Sequence, residues 1–175
     1  TKKINKGENK LNKINKSKSV SIVAIFSALA FVATRFLQVP ILQTGGYLNF
    51  GETVIYLAAI IFGPIVGGLV GAIGPALADL SSPYAAFAPF TFVIKGLEGL
   101  LVGKIAENKE NTAARITAIV VGGIIMICGY YIVEVFVFMI PPAVALVEVP
   151  FNIIQMSVGG FVAILLAKKI KNMNF

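Results

Sequence analysis

The stretch TVIYLAAIIFGPIVGGLVGAIGPALA, residues 53–78, contains no charged side chain and carries a Gly-Pro step at Gly63-Pro64. It is too long and too apolar for a strand. Proline blocks the interior of a helix but suits its first turn, so the break predicts two helices meeting at a tight corner. The first, Phe50–Phe62, is about 20 Å long and only partly crosses a bilayer. The second runs from Ile65 to Leu80, where Ser81-Ser82-Pro83 ends it.

The same signature recurs on both sides. Val20–Thr34, Ile116–Val133 and Val149–Ala167 are also free of charge. Apolar runs near 18 to 20 residues read as membrane spans. The composition agrees. The chain is 57% hydrophobic and 13% charged, with a mean hydropathy of +0.87, against about 25% charged residues in an average soluble domain. Reading outward from the central corner predicts further helices over Val20–Leu37, Ala88–Ala106, Ala113–Met139 and Val149–Lys171. The expected fold is all-α, a six-helix integral membrane bundle over residues 20–171, with a basic tail over residues 1–19. The lipid bilayer is its first partner. Isoleucine and leucine at 4, 11 and 14 leave a surface helix open as a second reading of that tail. No small-residue cleavage site follows the first apolar run, so no cleavable leader is expected, and a chain that begins at Thr1 suggests trimming.

The net charge of +7 does not indicate nucleic acid. Seven lysines lie within Lys2–Lys18, three more at Lys168, Lys169 and Lys171, and Lys104, Lys109 and Arg115 flank the connector 107–112. The other connections, 38–49, 81–87 and 140–148, hold no lysine or arginine. By the excess of cations in cytoplasmic segments, both termini face the cytoplasm.

That topology assigns depths to the polar residues. Asn49 and Glu52 start the second helix at the outer side, Asp79 ends the third there, and Tyr84 follows it. Lys95 and Glu98, three apart on the fourth helix, share a face. Glu134 lies in the outer part of the fifth, and Asn152 and Gln155 in the outer part of the sixth. Charges in hydrocarbon cost several kcal/mol, so they turn inward and pair, or line a site. The distribution predicts a pocket open to the outside, with QVPILQTGGYLNF (38–50) able to fold over it. Local readings stay open beside this one. Lys95 and Glu98 can neutralise each other within one helix, Glu52, Asp79 and Glu148 can be wetted at the interface, and Asn152 and Gln155 can join helices. Acids outnumber the one cation in this region, which suits a neutral or cationic ligand. Tyr47, Tyr84, Phe87, Phe90, Phe92, Tyr130 and Tyr131 offer rings for stacking.

At the other end, Ser17, Ser21, Ala24 and Ala28 form a small-residue stripe on the first helix, a groove for a helix of another protein. With no histidine and a single cysteine, Cys128, no disulfide within the chain and no metal site are expected. Phosphate loops and hydrolase elbows are absent too, so no cofactor and no enzyme activity are expected. A lipid-modifying enzyme would have only Glu107 and Glu110 at the inner interface. A purely structural subunit is a further reading, which tight binding of a small molecule would exclude.

GGYLNFGETVIYLAAIIFGPIVGGLVGAIGPALADL, APFTFVIKGLEGLLVGKI and VPFNIIQMSVGG together resemble the substrate-binding (S) component of energy-coupling factor (ECF) vitamin transporters. The branch they most resemble takes up riboflavin and hydroxymethylpyrimidine. The resemblance covers about residues 18–170. It implies a prokaryotic plasma-membrane protein that captures a vitamin from outside and docks on a transmembrane scaffold subunit driven by two ATPases. Ala24 and Ala28 would be the docking motif and the loop after the first helix a gate. The absence of tryptophan argues against thiamine itself, and the shortage of cations against biotin and pantothenate. The residues expected to hold the vitamin are Asn49, Glu52, Tyr84, Lys95, Glu98, Glu134, Asn152 and Gln155. A solitary secondary transporter of a similar nutrient is the alternative.

Overall fold

The computed structural model describes residues 16–44, 46–109 and 111–172. Among these residues seven α-helices follow one another: α1 (Lys16–Phe36), α2 (Gly51–Phe62), α3 (Pro64–Leu80), α4 (Ala88–Ala106), α5 (Thr112–Phe136), α6 (Pro142–Ala145) and α7 (Glu148–Asn172). Six form the bundle, and α6 is a single turn. Four of them, α1, α4, α5 and α7, are long and apolar enough to cross a membrane, while α2 and α3 are shorter, at 12 and 17 residues. The helix α1 begins inside the stretch assigned to the tail. The rest of that tail, with the surface-helix reading at 4, 11 and 14, lies outside the described residues.

The corner between α2 and α3 forms as the sequence predicts. Gly63 sits at φ 85°, a region that side chains rarely adopt, and Pro64 opens α3. The helix α5 is capped by Asn111, whose Oδ1 accepts from the Ala114 amide at 2.7 Å, and so satisfies one of the donors a helix start leaves free. It ends at Phe136, three residues before the expected Met139, which itself has φ 55°.

Around the bundle, α1 packs on α3, α3 on α4, α4 on α5, α5 on α7 and α7 on α2. The short α2 also touches α1, α3 and α4 and so occupies the centre. Its Ile55, Tyr56 and Ala58 are fully buried. Between α3 and α4 the backbones meet through glycine. A Cβ on Gly71 would strike the Lys95 carbonyl, and one on Gly99 the Gly67 carbonyl. Outside, the long helices display Ile25, Leu29, Leu97, Ile124 and Leu165, the apolar exterior a lipid solvent requires.

The 38–49 connection, expected as a loop, is an antiparallel hairpin of β1 (Val39–Ile41) and β2 (Gly46–Leu48). Strands this short carry no readable alternation, and Pro40 is tolerated because a two-stranded ribbon is all edge.

Candidate functional site

The hairpin, the turn after α3 and the start of α7 gather at one end of the bundle. Tyr47 packs on Tyr84 with centroids 4.5 Å apart and the rings tilted by 41°, and its hydroxyl donates to the Asp79 carboxylate. Burial, with Asp79 beside it, pushes that hydroxyl above the ordinary tyrosine value, so it stays a donor. Thr44 bonds the Glu148 carboxylate, and Gly46 leaves room for it, since a Cβ there would overlap Glu148. Arg35 Nε donates to the Ser81 carbonyl at 3.2 Å.

Beneath the hairpin lies a narrow cleft with about 30 Å³ of free space, lined by Tyr47, Asn49, Asp79, Tyr84, Phe87, Thr91, Lys95, Tyr130, Glu148, Asn152 and Gln155. The helix α2 creates its depth. Glu52, in the first turn of α2, is bonded to Lys95, two turns inside α4. The central helix therefore starts below its neighbours, and the space above it is the cleft.

Lys95 is only 2% exposed. Its ammonium pairs with Glu52 and, at 3.0 Å, with Glu98, and sits 5.7 Å from the Tyr130 ring centroid. Tyr56 donates to Glu98 at 2.5 Å, and Gln155 Nε2 to Glu52 at 2.6 Å. Gln155 Oε1 accepts from the Asn49 amide at 2.7 Å. Asn49 Oδ1 in turn accepts from the Gly51 amide at 2.8 Å and fixes the start of α2. The connected set draws on α2, α4, α7 and the segment after β2. The Tyr130 hydroxyl lies apart from it, donating to Thr91 at 3.1 Å.

Of the eight residues singled out from sequence, Asn49, Tyr84, Lys95, Asn152 and Gln155 line the cleft. Glu52 and Glu98 are fully buried behind Lys95 and act on it rather than lining the space. Glu134 is set back from the cleft, its carboxyl against that of Glu148. Lys95 and Glu98 do pair within one helix, but Lys95 also takes Glu52 from another. Glu52, Asp79 and Glu148 are buried, not wetted. Sequence reasoning left Thr91 unread, although it lies four residues before Lys95 and so on the same face of α4. At the opposite end of the bundle Arg115 is buried, at 5% exposed.

Along α1 and α3 runs a second, apolar groove of about 1110 Å³, opening on the bundle exterior. The exposed Ala24 and Ala28 lie along it.

The model of the ECF-type riboflavin transporter S component matches residues 14–172. An uncharacterized protein of Pyrococcus woesei is 40% identical over 143 residues, 79% of this chain and 95% of its own length. The thiamine precursor transporter HmpT of Lactococcus lactis is 28% identical over 155 residues, 88% of each chain. The solved S component of a bacterial ECF transporter superposes with a TM-score of 0.74 at 25% identity, covering 91% of this chain and 98% of that one. The chain belongs to the ECF-type riboflavin transporter S component family and is a multi-pass, vitamin-binding transport component of the prokaryotic plasma membrane that works with a partner ECF module.

Proposed function

We propose that the cleft beneath the hairpin captures riboflavin or hydroxymethylpyrimidine from outside the cell, with Asn49, Tyr84, Lys95, Asn152 and Gln155 around the ring. Glu52 and Glu98 hold Lys95 in place, and Glu134 acts through Glu148. One observation carries this reading: the buried polar network and the paired rings of Tyr47 and Tyr84 converge on one cleft at a single end of the bundle. The family description supports riboflavin, and the likeness to a thiamine precursor transporter supports the pyrimidine.

Both termini are cytoplasmic in this reading, residues 1–19 form the basic tail, and residues 20–171 form the binding domain. The Ala24–Ala28 groove docks on a scaffold subunit driven by two ATPases. Mass spectrometry of small molecules extracted from the purified protein tests the ligand. Riboflavin or the pyrimidine is expected, and a protein that binds neither would end the proposal. An Ala28→Trp substitution should abolish uptake and spare binding. Uptake that persists in cells without a scaffold subunit would instead favour a solitary secondary transporter.

A further inference from the structure

Arg35 is out of keeping with its surroundings. It stands at the hairpin end of α1, where the connections 38–49, 81–87 and 140–148 hold no lysine or arginine. The other cation in that half of the bundle, Lys95, is buried and matched by two carboxylates. Arg35 is half-buried, and no acid among the described residues forms an ion pair with it. Asp79, two residues before Ser81, takes the Tyr47 hydroxyl instead. The guanidinium is nevertheless fixed in place. Its Nε donates to the Ser81 carbonyl at 3.2 Å, and its Cζ lies 5.8 Å from the Phe36 ring centroid. An arginine carries five N–H donors in a planar fork that matches a phosphate. Nε uses one of them, and the four on the Nη atoms have no carboxylate.

Ser81 is also one end of the apolar groove between α1 and α3. The two helices lie side by side, with Gly74 against Ser27 and Ala30 and with Ser81 against Arg35. Next to Arg35 the groove is lined by Phe31, Ile73, Leu77 and Leu80, and Ala24 and Ala28 lie deeper. Leu77 and Leu80 are 49% and 61% exposed. From Ser27 to Arg35 the helix rises about 12 Å, close to the depth of one leaflet in a hydrocarbon core about 30 Å thick. An apolar channel one leaflet deep therefore ends at a fixed, unpaired cation.

We propose that Arg35 and the adjoining half of the α1–α3 groove hold one phospholipid, its phosphate on the Arg35 guanidinium and an acyl chain along Phe31, Ile73, Leu77 and Leu80. Charge and depth choose the occupant. A phosphodiester at the membrane surface supplies the anion that Arg35 lacks, and the chain beneath it covers the exposed leucines. The assignment to the outer leaflet rests on the reading that places the hairpin outside. The site itself depends neither on the vitamin nor on docking at Ala24 and Ala28.

The test is native mass spectrometry of the purified full chain, stripped of lipid in detergent and then offered one probe at a time. The probes are phosphatidylglycerol, diacylglycerol, which has the chains without the phosphate, and glycerol phosphate, which has the phosphate without the chains. One phosphatidylglycerol per chain is expected, and neither fragment should be retained. This series on the unaltered protein needs no variant to fold. Arg35→Gln, which can still donate to the Ser81 carbonyl, should weaken retention about tenfold, in the range of a hydrogen bond to a charged group. Leu77→Trp, which fills the groove and leaves the cation, should abolish retention. Diacylglycerol held as well as phosphatidylglycerol would show a groove indifferent to Arg35, and glycerol phosphate held alone would show a free-anion site. Either result would overturn the inference. So would phosphatidylglycerol retained unchanged by Arg35→Gln, which would leave Arg35 as a staple between α1 and the turn after α3. Each of these failures leaves vitamin capture, which is measured separately, untouched.

Discussion

Lys95 illustrates how a charge can be buried in a membrane bundle. Its ammonium has two carboxylates within bonding range, and those have Tyr56 and Gln155 as further donors. Breaking a buried pair by removing one partner costs about 3–5 kcal/mol, because the surviving charge is left in a low dielectric. Lys95→Ala should therefore lower the unfolding temperature in detergent as well as weaken vitamin binding about 100-fold or more. The two effects can be separated. A Lys95→Met, Glu52→Gln, Glu98→Gln triple variant removes the orphaned charges. Calorimetry should show much of the stability restored, and titration should show binding still lost. If the triple variant binds as tightly as the wild type, Lys95 does not contact the vitamin.

At the scale of elements, the two glycine positions make different demands. Gly99 is a matter of space, since a Cβ there meets the Gly67 carbonyl across the α3–α4 contact. Gly63 is a matter of conformation, since a Cβ would meet nothing within 4 Å but the backbone has φ 85°. Gly99→Val should push the helices apart and cost about 2–4 kcal/mol, in the range of core overpacking or above it. Gly63→Ala should cost about 1–3 kcal/mol, the strain of a side chain held at φ 85°, ψ −172°, a region essentially reserved for glycine. Thermal unfolding of both variants checks the order, and a larger loss at Gly63 would contradict the structure. The helices themselves were legible. Apolar runs ended by Gly63-Pro64, by Ser81-Ser82-Pro83 and by the connector 107–112 placed most boundaries within a few residues. The hairpin was not legible, because three-residue strands are set by what they cover. Nor was the Glu52–Lys95 pair. Helical periodicity tells which face a residue occupies but not which neighbouring helix that face will meet.

For the whole molecule, the side of the membrane is legible only through charge. The connector 107–112 and the hairpin lie at opposite ends of α1–α5, so one experiment fixes both. In a Cys128→Ser background, a cysteine at the 90%-exposed Leu42 should react with an impermeant maleimide on intact cells. One at the exposed Lys109 should react only after permeabilisation. The reverse pattern would invert the protein and put the cleft inside. The position of α2 has a further consequence. Below Lys95 the centre is filled by Tyr56, Ile55, Ala59 and Val102, none more than 1% exposed. The cleft is a cul-de-sac. Protein reconstituted alone in vesicles should retain no more than one vitamin per chain and leak none to the far side, because an occupant can leave only by the mouth through which it came.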